Sequence, residues 1–538
     1  MSTLYYNGRV YTGELPLVSA FAVEDGRFLF TGSDADGAAL GCAEAVDLNG
    51  AFVCAGFNDS HMHLLNFGQS LAQAELAAHT DSLAGMLEYL REYAAAQPGG
   101  EGRWIRGRGW NQDYFSDAER MPDRWDLDRV SRDVPVVIVR CCGHCMAVNS
   151  KALELCGVTA DTLSPEGGRI GLRAGEPDGL FYDDAMTLVY EHLPVPGKDE
   201  IMGMIRLACR ALNSYGVTSV QSDDYCVFRS VPWQTVNEAY RELEESGELT
   251  VRVYEQSNFT DPDGLRSFME AGCVTGAGTD RFRIGPLKML GDGSLGARTA
   301  YLSEPYADDP STRGIPIFTQ EQMNEMIGLA HANGMQVAVH TIGDATMDLI
   351  LNAVEKAQAE HPRSDARHGV VHCQITRPDQ LERLIAMGMH IYAQTIFLDY
   401  DIHIVERLVG SERAASSYSW KTLLRGGCTV SNGTDCPVEL PNAMAGIQCA
   451  VTRTTLRDRM GPYLPDEAFT VREALDSYTS AGAYSSFEEN VKGRIAPGYL
   501  ADFVVLGSDP FETDPFALKD IPVVAAYVAG ERVFGEPI

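Results

Sequence analysis

Two histidines one residue apart stand in Asn58-Asp-Ser-His61-Met-His63, directly after a β-prone run that begins at Ala51. Alternate residues of a strand share a face, so both imidazoles can turn towards one point, as metal ligands must. A lone His-x-His pair fits two solvated or core histidines equally well, so the rest of the set decides. Lys288 falls near the end of Arg283-Ile-Gly-Pro-Leu-Lys-Met, and His340 ends Gln336-Val-Ala-Val-His. His372 ends Gly369-Val-Val-His, and Asp435 lies just beyond Cys428-Thr-Val-Ser-Asn432. Barrel enzymes gather catalytic groups at the carboxyl ends of several strands. For the four histidines together, that recurrence favours ligation of a metal over structural burial.

The elements that would position these residues alternate between β-branched runs and helical patterns. Ala51–Phe57, Val217–Gln221, Thr250–Tyr254 and Arg283–Met289 read as strands, followed by Gln336–His340, Gly369–His372, His390–Gln394 and Cys428–Asn432. Helix-like stretches such as Gln320–Asn333 and Pro378–Met387 separate them. This βαβ rhythm predicts an α/β fold, a (β/α)8 TIM-type barrel, spanning residues 55–489. The stretch from Leu64 to Tyr215 is too long for one βα connection and predicts an inserted subdomain or lid at about 70–212. Both ends of the chain differ from the barrel. Asn7-Gly8 between two β-prone runs predicts a hairpin, and Ala501–Leu506 with Val523–Phe534 predicts short strands around a Gly530 turn. Residues 1–54 and 490–538 are therefore expected to build one small composite β-sandwich.

Charge narrows the partners. The chain has 538 residues, with 43 Lys+Arg against 75 Asp+Glu and a formal net charge of -32. Such a surface repels a phosphate backbone, so nucleic acid is not an expected partner. No run approaches the roughly eighteen apolar residues of a membrane span, and the first residues lack a secretory signal pattern. Thirteen cysteines, an odd number, read as reduced thiols of a cytoplasmic protein. A small-molecule substrate is expected, with homo-oligomerisation left open.

The ordered motifs resemble the amidohydrolase superfamily, and within it amidohydrolase family 3, the branch of YtcJ-like and N-substituted formamide deformylase-like hydrolases. The matching pieces are Gly56-Phe-Asn-Asp-Ser-His61-Met-His63, Lys288-Met-Leu-Gly-Asp292-Gly-Ser-Leu-Gly-Ala-Arg298, His340-Thr-Ile-Gly-Asp344, His372-Cys-Gln374 and Ser431-Asn-Gly-Thr-Asp435, with Lys492-Gly-Arg-Ile-Ala-Pro-Gly-Tyr-Leu-Ala-Asp502 near the end. The resemblance implies one or two divalent metal ions, zinc foremost, held by His61, His63, His340, His372 and Asp435. A carbamylated Lys288 would bridge them. Carbamylation needs a neutral amine, which burial among cations favours. The other reading pairs Lys288 with Asp292 and keeps a single ion. The resemblance further implies hydrolysis of a non-peptide amide, formamide or cyclic amide by metal-activated hydroxide, with Asp435 as general acid and base. A lactone or ester hydrolase would use the same groups, and a non-catalytic metal-binding protein could share the fold.

In the insertion, Trp110 and His144 fall in motifs that resemble the family's cover over the metals and are expected to contact substrate. Cys141-Cys142-Gly-His144-Cys145 looks like a zinc cluster, but adjacent cysteines point apart and no second cluster completes four ligands. Tyr418, Trp420 and Arg453 are read as structural. Departures from the family pattern at Asn111, Cys142, Val371, Thr395 and Cys436 suggest a less acidic pocket, so no relative's substrate is copied.

Overall fold

The computed structural model describes residues 2–96, 103–141, 145–165, 168–228 and 230–536. It divides into two compact units, one of residues 1–65 and 208–538, the other of residues 66–207.

The first unit holds an eight-stranded sheet whose adjacent strands all run parallel. In chain order its strands are β1 (Phe57–Met62), β2 (Val217–Ser222), β3 (Arg252–Asn258) and β4 (Phe282–Leu290). They continue with β5 (Val337–Thr341), β6 (Gly369–His372), β7 (His390–Ala393) and β8 (Val430–Asn432). Spatial order follows chain order. The edge between β8 and β1 is bridged by Asp435 N–H donating to the His61 carbonyl at 2.8 Å, and His63 N–H to the Cys436 carbonyl at 2.8 Å. The result is a nearly closed α/β barrel, the architecture the strand count predicted.

Local chemistry explains the elements. Helix Gln320–Ala332, between β4 and β5, starts on a capping box in which Thr319 Oγ1 accepts from Gln322 N and Gln322 Oε1 accepts from Thr319 N. It stops before Gly334 at φ +82°, a left-handed position that glycine adopts without a Cβ clash. Val337-Ala-Val then enters the core as β5, buried on both faces as a parallel strand must be.

One boundary differs from the sequence reading. The apolar run from Ala51 splits, so that Phe52–Ala55 pairs antiparallel with Phe503–Leu506 in a terminal sheet and the barrel begins only at Phe57. Gly56 makes the break possible, because a Cβ there would meet Thr218 Oγ1 at 2.2 Å. His61 consequently lies inside β1 and not after it.

The N-terminal segment alone builds a four-stranded sheet, and both termini contribute to a five-stranded sheet. Tyr5, Phe21 and Phe28 from one sheet meet Val53, Phe503 and Tyr527 from the other in a shared core. The Asn7-Gly8 hairpin expectation is corrected. Asn7 does turn, at φ +56°, but Thr3–Tyr6 joins one sheet through Ala20–Glu24 while Arg9–Val10 joins the other beside Phe52–Ala55. The turn carries the chain between layers, where burying Leu4 and Val10 in separate sheets outweighs pairing them. The Gly530 turn does close a hairpin, joining Val523–Val528 to Glu531–Gly535.

The second unit carries a mixed six-stranded sheet in which Ile105–Trp110 and Val136–Arg140 are central neighbours. Helix Leu83–Ala96 contributes Leu83, Met86, Leu87 and Leu90 to its core. Among the described residues no helix is long and apolar enough to cross a membrane, and no disulfide is formed.

Candidate metal centre

The carboxyl ends of β1, β4, β5 and β6 and the loop after β8 bring together the six side chains singled out in the sequence. His61 Nε2 lies 3.4 Å from Asp435 Oδ1, and His63 Nε2 lies 3.1 Å from the same oxygen. His372 Nε2 is 2.9 Å from His340 Nδ1. His61, His372 and Asp435 each offer a ligand atom within 4.8 Å of the others. Lys288 is fully buried, and its Nζ lies 3.5 Å from Asp223 Oδ2 without making a hydrogen bond.

The outer partners decide which ring nitrogen faces inward. Gln256 Nε2 donates to the Ser60 carbonyl, so its Oε1, 2.7 Å from His61 Nδ1, accepts the ring proton. His63 Nδ1–H donates to the Asp223 carbonyl at 3.0 Å, and His340 Nε2–H to the Gly293 carbonyl at 3.0 Å. His372 Nδ1 lies 2.7 Å from Gln394 Oε1. These bonds leave bare lone pairs on Nε2 of His61 and His372 and on Nδ1 of His340, and turn Nε2 of His63 towards Asp435. Two of those lone pairs face one another at 2.9 Å, and the third, on His61, faces a carboxylate oxygen at 3.4 Å. Mutual repulsion is relieved when a cation sits among them, so the donor set fits a divalent metal.

Electrostatics point the same way. Burial, reinforced by the nearby Lys288 charge, holds His61 well below its usual range. Burial with the neighbouring His372 does the same to His340, and burial takes His372 down to about 4. All three are therefore neutral and able to ligate at neutral pH. Burial also opposes a charge on His63, but the approach and charge of Asp435 outweigh it and raise the ring to about 9. Burial alone would raise Asp435, yet His63, His61 and His372 hold its carboxyl well below the usual range. Asp435 Oδ1 is buried without a hydrogen bond.

Two of the six residues sit in left-handed backbone, His372 at φ +73° and Asp435 at φ +57°. Such positions cost about 1–3 kcal/mol each and persist only where the surroundings hold them. Trp420 Nε1–H donates to the His372 carbonyl at 3.0 Å, so this tryptophan secures the turned backbone. Asp59 accepts from Thr434 N at 3.0 Å and from the Thr434 hydroxyl, which ties β1 to the segment carrying Asp435.

The pairing of Lys288 with Asp292 is corrected. Asp292 instead accepts from the backbone of Tyr301, Ile342 and Gly343 at 2.9, 3.1 and 2.8 Å and from Thr346 Oγ1 at 3.0 Å. Trp110 belongs to the core of the second unit, fully buried beside Leu76 and Phe115, and leaves no ring face exposed. His144, like Cys142, lies outside the described residues. Gln256 and Asp223 were missed. A signal existed, since Glu255-Gln-Ser-Asn258 is a polar run within a buried strand, and Asp223 follows directly on β2.

Comparison with known proteins adds three findings. The model of the amidohydrolase family matches residues 44–534. YtcJ of Bacillus subtilis (strain 168) is 33% identical over 99% of both chains, and N-substituted formamide deformylase of Arthrobacter pascens is 25% identical over 97% of this chain and 96% of its own. The crystal structure of an uncharacterized metal-dependent hydrolase from Pyrococcus horikoshii OT3 superposes with a TM-score of 0.78 at 28% identity, covering 96% of this chain and 99% of that one.

Proposed function

Because this chain belongs to the amidohydrolase family, we propose that it hydrolyses a non-peptide carbon-nitrogen bond, in a small amide, formamide or cyclic amide, at a metal centre built from His61, His63, Lys288, His340, His372 and Asp435. The relative that cleaves N-substituted formamides supports that substrate class. One or two divalent ions, zinc foremost and with Lys288 carbamylated as their bridge, would supply Lewis acidity towards the scissile carbonyl and make water a stronger acid.

The observation that carries this reading is Asp435 Oδ1, an ionised carboxylate oxygen that is buried, makes no hydrogen bond and faces two imidazole nitrogens at 3.1 and 3.4 Å. An acceptor so placed can take the proton of an attacking water. It can then return that proton to the departing nitrogen, which amide hydrolysis needs because an amide anion is a poor leaving group. Gln256 and Gln394 keep His61 and His372 turned for ligation, and Trp420 keeps the His372 backbone in place. A retained six-residue set argues for turnover over a binding protein that merely kept the fold.

The test is to load the protein with zinc, manganese or cobalt and assay N-substituted formamides, N-acyl amines, cyclic amides and lactones for amine or acid release. Activity on one amide class is expected. Silence on every amide together with turnover of a lactone would replace this reading by the ester one.

A further inference from the structure

The loops after β7 and β8 place three carboxylates beside the candidate centre. Phe397 stacks on the His372 ring with centroids 5.7 Å apart, and the chain runs on through Asp399 to Asp401. Glu439, in the loop that carries Asp435, lies close enough to Asp399, Asp401 and Asp435 to feel the charge of each. Asp401 is 9% exposed, and its Oδ2 accepts from the Tyr418 hydroxyl at 2.9 Å and from Gln374 Nε2 at 3.2 Å. Among the described residues Asp401 Oδ1 and the Glu439 carboxylate accept no hydrogen bond, and no cationic side chain pairs with any of the three acids. None of the departures that suggested a less acidic pocket falls on these positions.

Gln374 supplies the independent reason to expect a ligand here. It is 2% exposed, its Nε2 is committed to Asp401, and Oε1 of the same amide is buried without a hydrogen bond. A buried acceptor left bare is unfavourable, and a donor arriving beside Asp401 removes that cost. Gln374 Oε1, Asp401 Oδ1 and Glu439 together offer acceptors and negative charge, which match the N–H donors and positive charge of an ammonium group. A bare metal ion fits less well, because these three acids do not form one of the clusters whose ligand atoms lie within 4.8 Å of one another. Tyr400, Val438 and Leu440, exposed on the same two loops, add apolar surface for a hydrocarbon chain. Burial, with the charges of Asp399, Asp401 and Asp435, pushes Glu439 up to about 7, as befits an acid without a counter-charge.

We propose that this wall binds an ammonium group on the amine half of the substrate, so that the substrates are mono-acylated diamines. The inference rests on amide hydrolysis at the neighbouring centre. There the oxygen of water bonds to the acyl carbon, the carbon-nitrogen bond breaks, and Asp435 passes the proton to the departing nitrogen. The departing half therefore lies on the Asp435 side, where Glu439 stands. The products are a carboxylate and a free diamine.

Calorimetric titration of the full-length, zinc-loaded protein carrying Asp435→Asn, which slows turnover, reads binding alone. N-acetyl-diaminobutane should bind at least about tenfold more tightly than N-butylacetamide, its neutral counterpart, and adding Glu439→Gln or Asp401→Asn should erase most of that difference. In the zinc-loaded enzyme with Asp435 intact, the kcat/KM ratio for the two compounds should follow, carried by KM. Equal affinity for both compounds, or a difference untouched by either substitution, overturns the ammonium site. Preference for amides with the ammonium on the acyl half overturns its assignment to the departing amine. Selective binding of N-acetyl-diaminobutane by a protein that cleaves no amide overturns the hydrolytic reading and leaves the ammonium site standing.

Discussion

At the scale of single residues, the centre depends on buried groups, among them His61, His340 and His372, which are neutral and aimed by a partner. Asp435 has the greatest chemical consequence, since its free oxygen is the only proposed carrier of the proton. Asp435→Asn preserves size and one oxygen while removing the proton acceptor, so kcat should fall by about 10²–10⁴-fold with metal content, measured by emission spectroscopy, largely retained. An unchanged kcat would take Asp435 out of the mechanism. Gln256 aims His61 through a 2.7 Å hydrogen bond. Gln256→Leu frees the ring to adopt the other tautomer, and metal affinity should drop by about 10–100-fold, read by competition with a chromophoric chelator. Replacement by glutamate, which still accepts from Nδ1–H, should recover most of it.

At the scale of elements, the strands reach the site because their opposite ends are anchored. Arg252, at the start of β3, donates to both oxygens of Asp502 at 2.6 and 2.9 Å, and the pair is buried. Asp502 Oδ1 also accepts from Ala529 N at 2.8 Å, so one carboxylate joins the barrel to the terminal sheet. Burial would raise Asp502, but Arg252 holds it below its usual range. Arg252→Met leaves that charge buried without a partner and should cost about 3–5 kcal/mol, read as a lower urea midpoint. Changing both residues to apolar ones should cost less than the single change. If the single variant unfolds at the wild-type midpoint, the anchor is not structural.

At the scale of the whole molecule, stability should depend on pH through histidines remote from the centre. Burial, aided by the charges of His331 for one and Arg367 for the other, lowers His368 and His390 to about 3. In the unfolded chain both return to about 6.5. Below about 6.5 the unfolded state therefore binds more protons, and stability falls as pH drops from about 6.5 towards about 3, with no slope from these rings above that window. At pH 5 each should account for about 2 kcal/mol. Denaturation at pH 7 and pH 5 should show a smaller difference for His390→Leu than for the wild type, and an equal difference would sink this assignment. The sequence by itself determined the strand count, the parallel order and the six chemically suited side chains, because continuous β-branched runs alternating with helical patterns, and placement at strand ends, are local patterns. Only the tertiary structure decided that Phe52–Ala55 leaves the barrel for the terminal sheet, that Lys288 faces Asp223 and not Asp292, and that glutamines orient His61 and His372. Those facts depend on which atoms meet across strands some 20 to 450 residues apart. No local pattern encodes such meetings, since closing the barrel is what creates them.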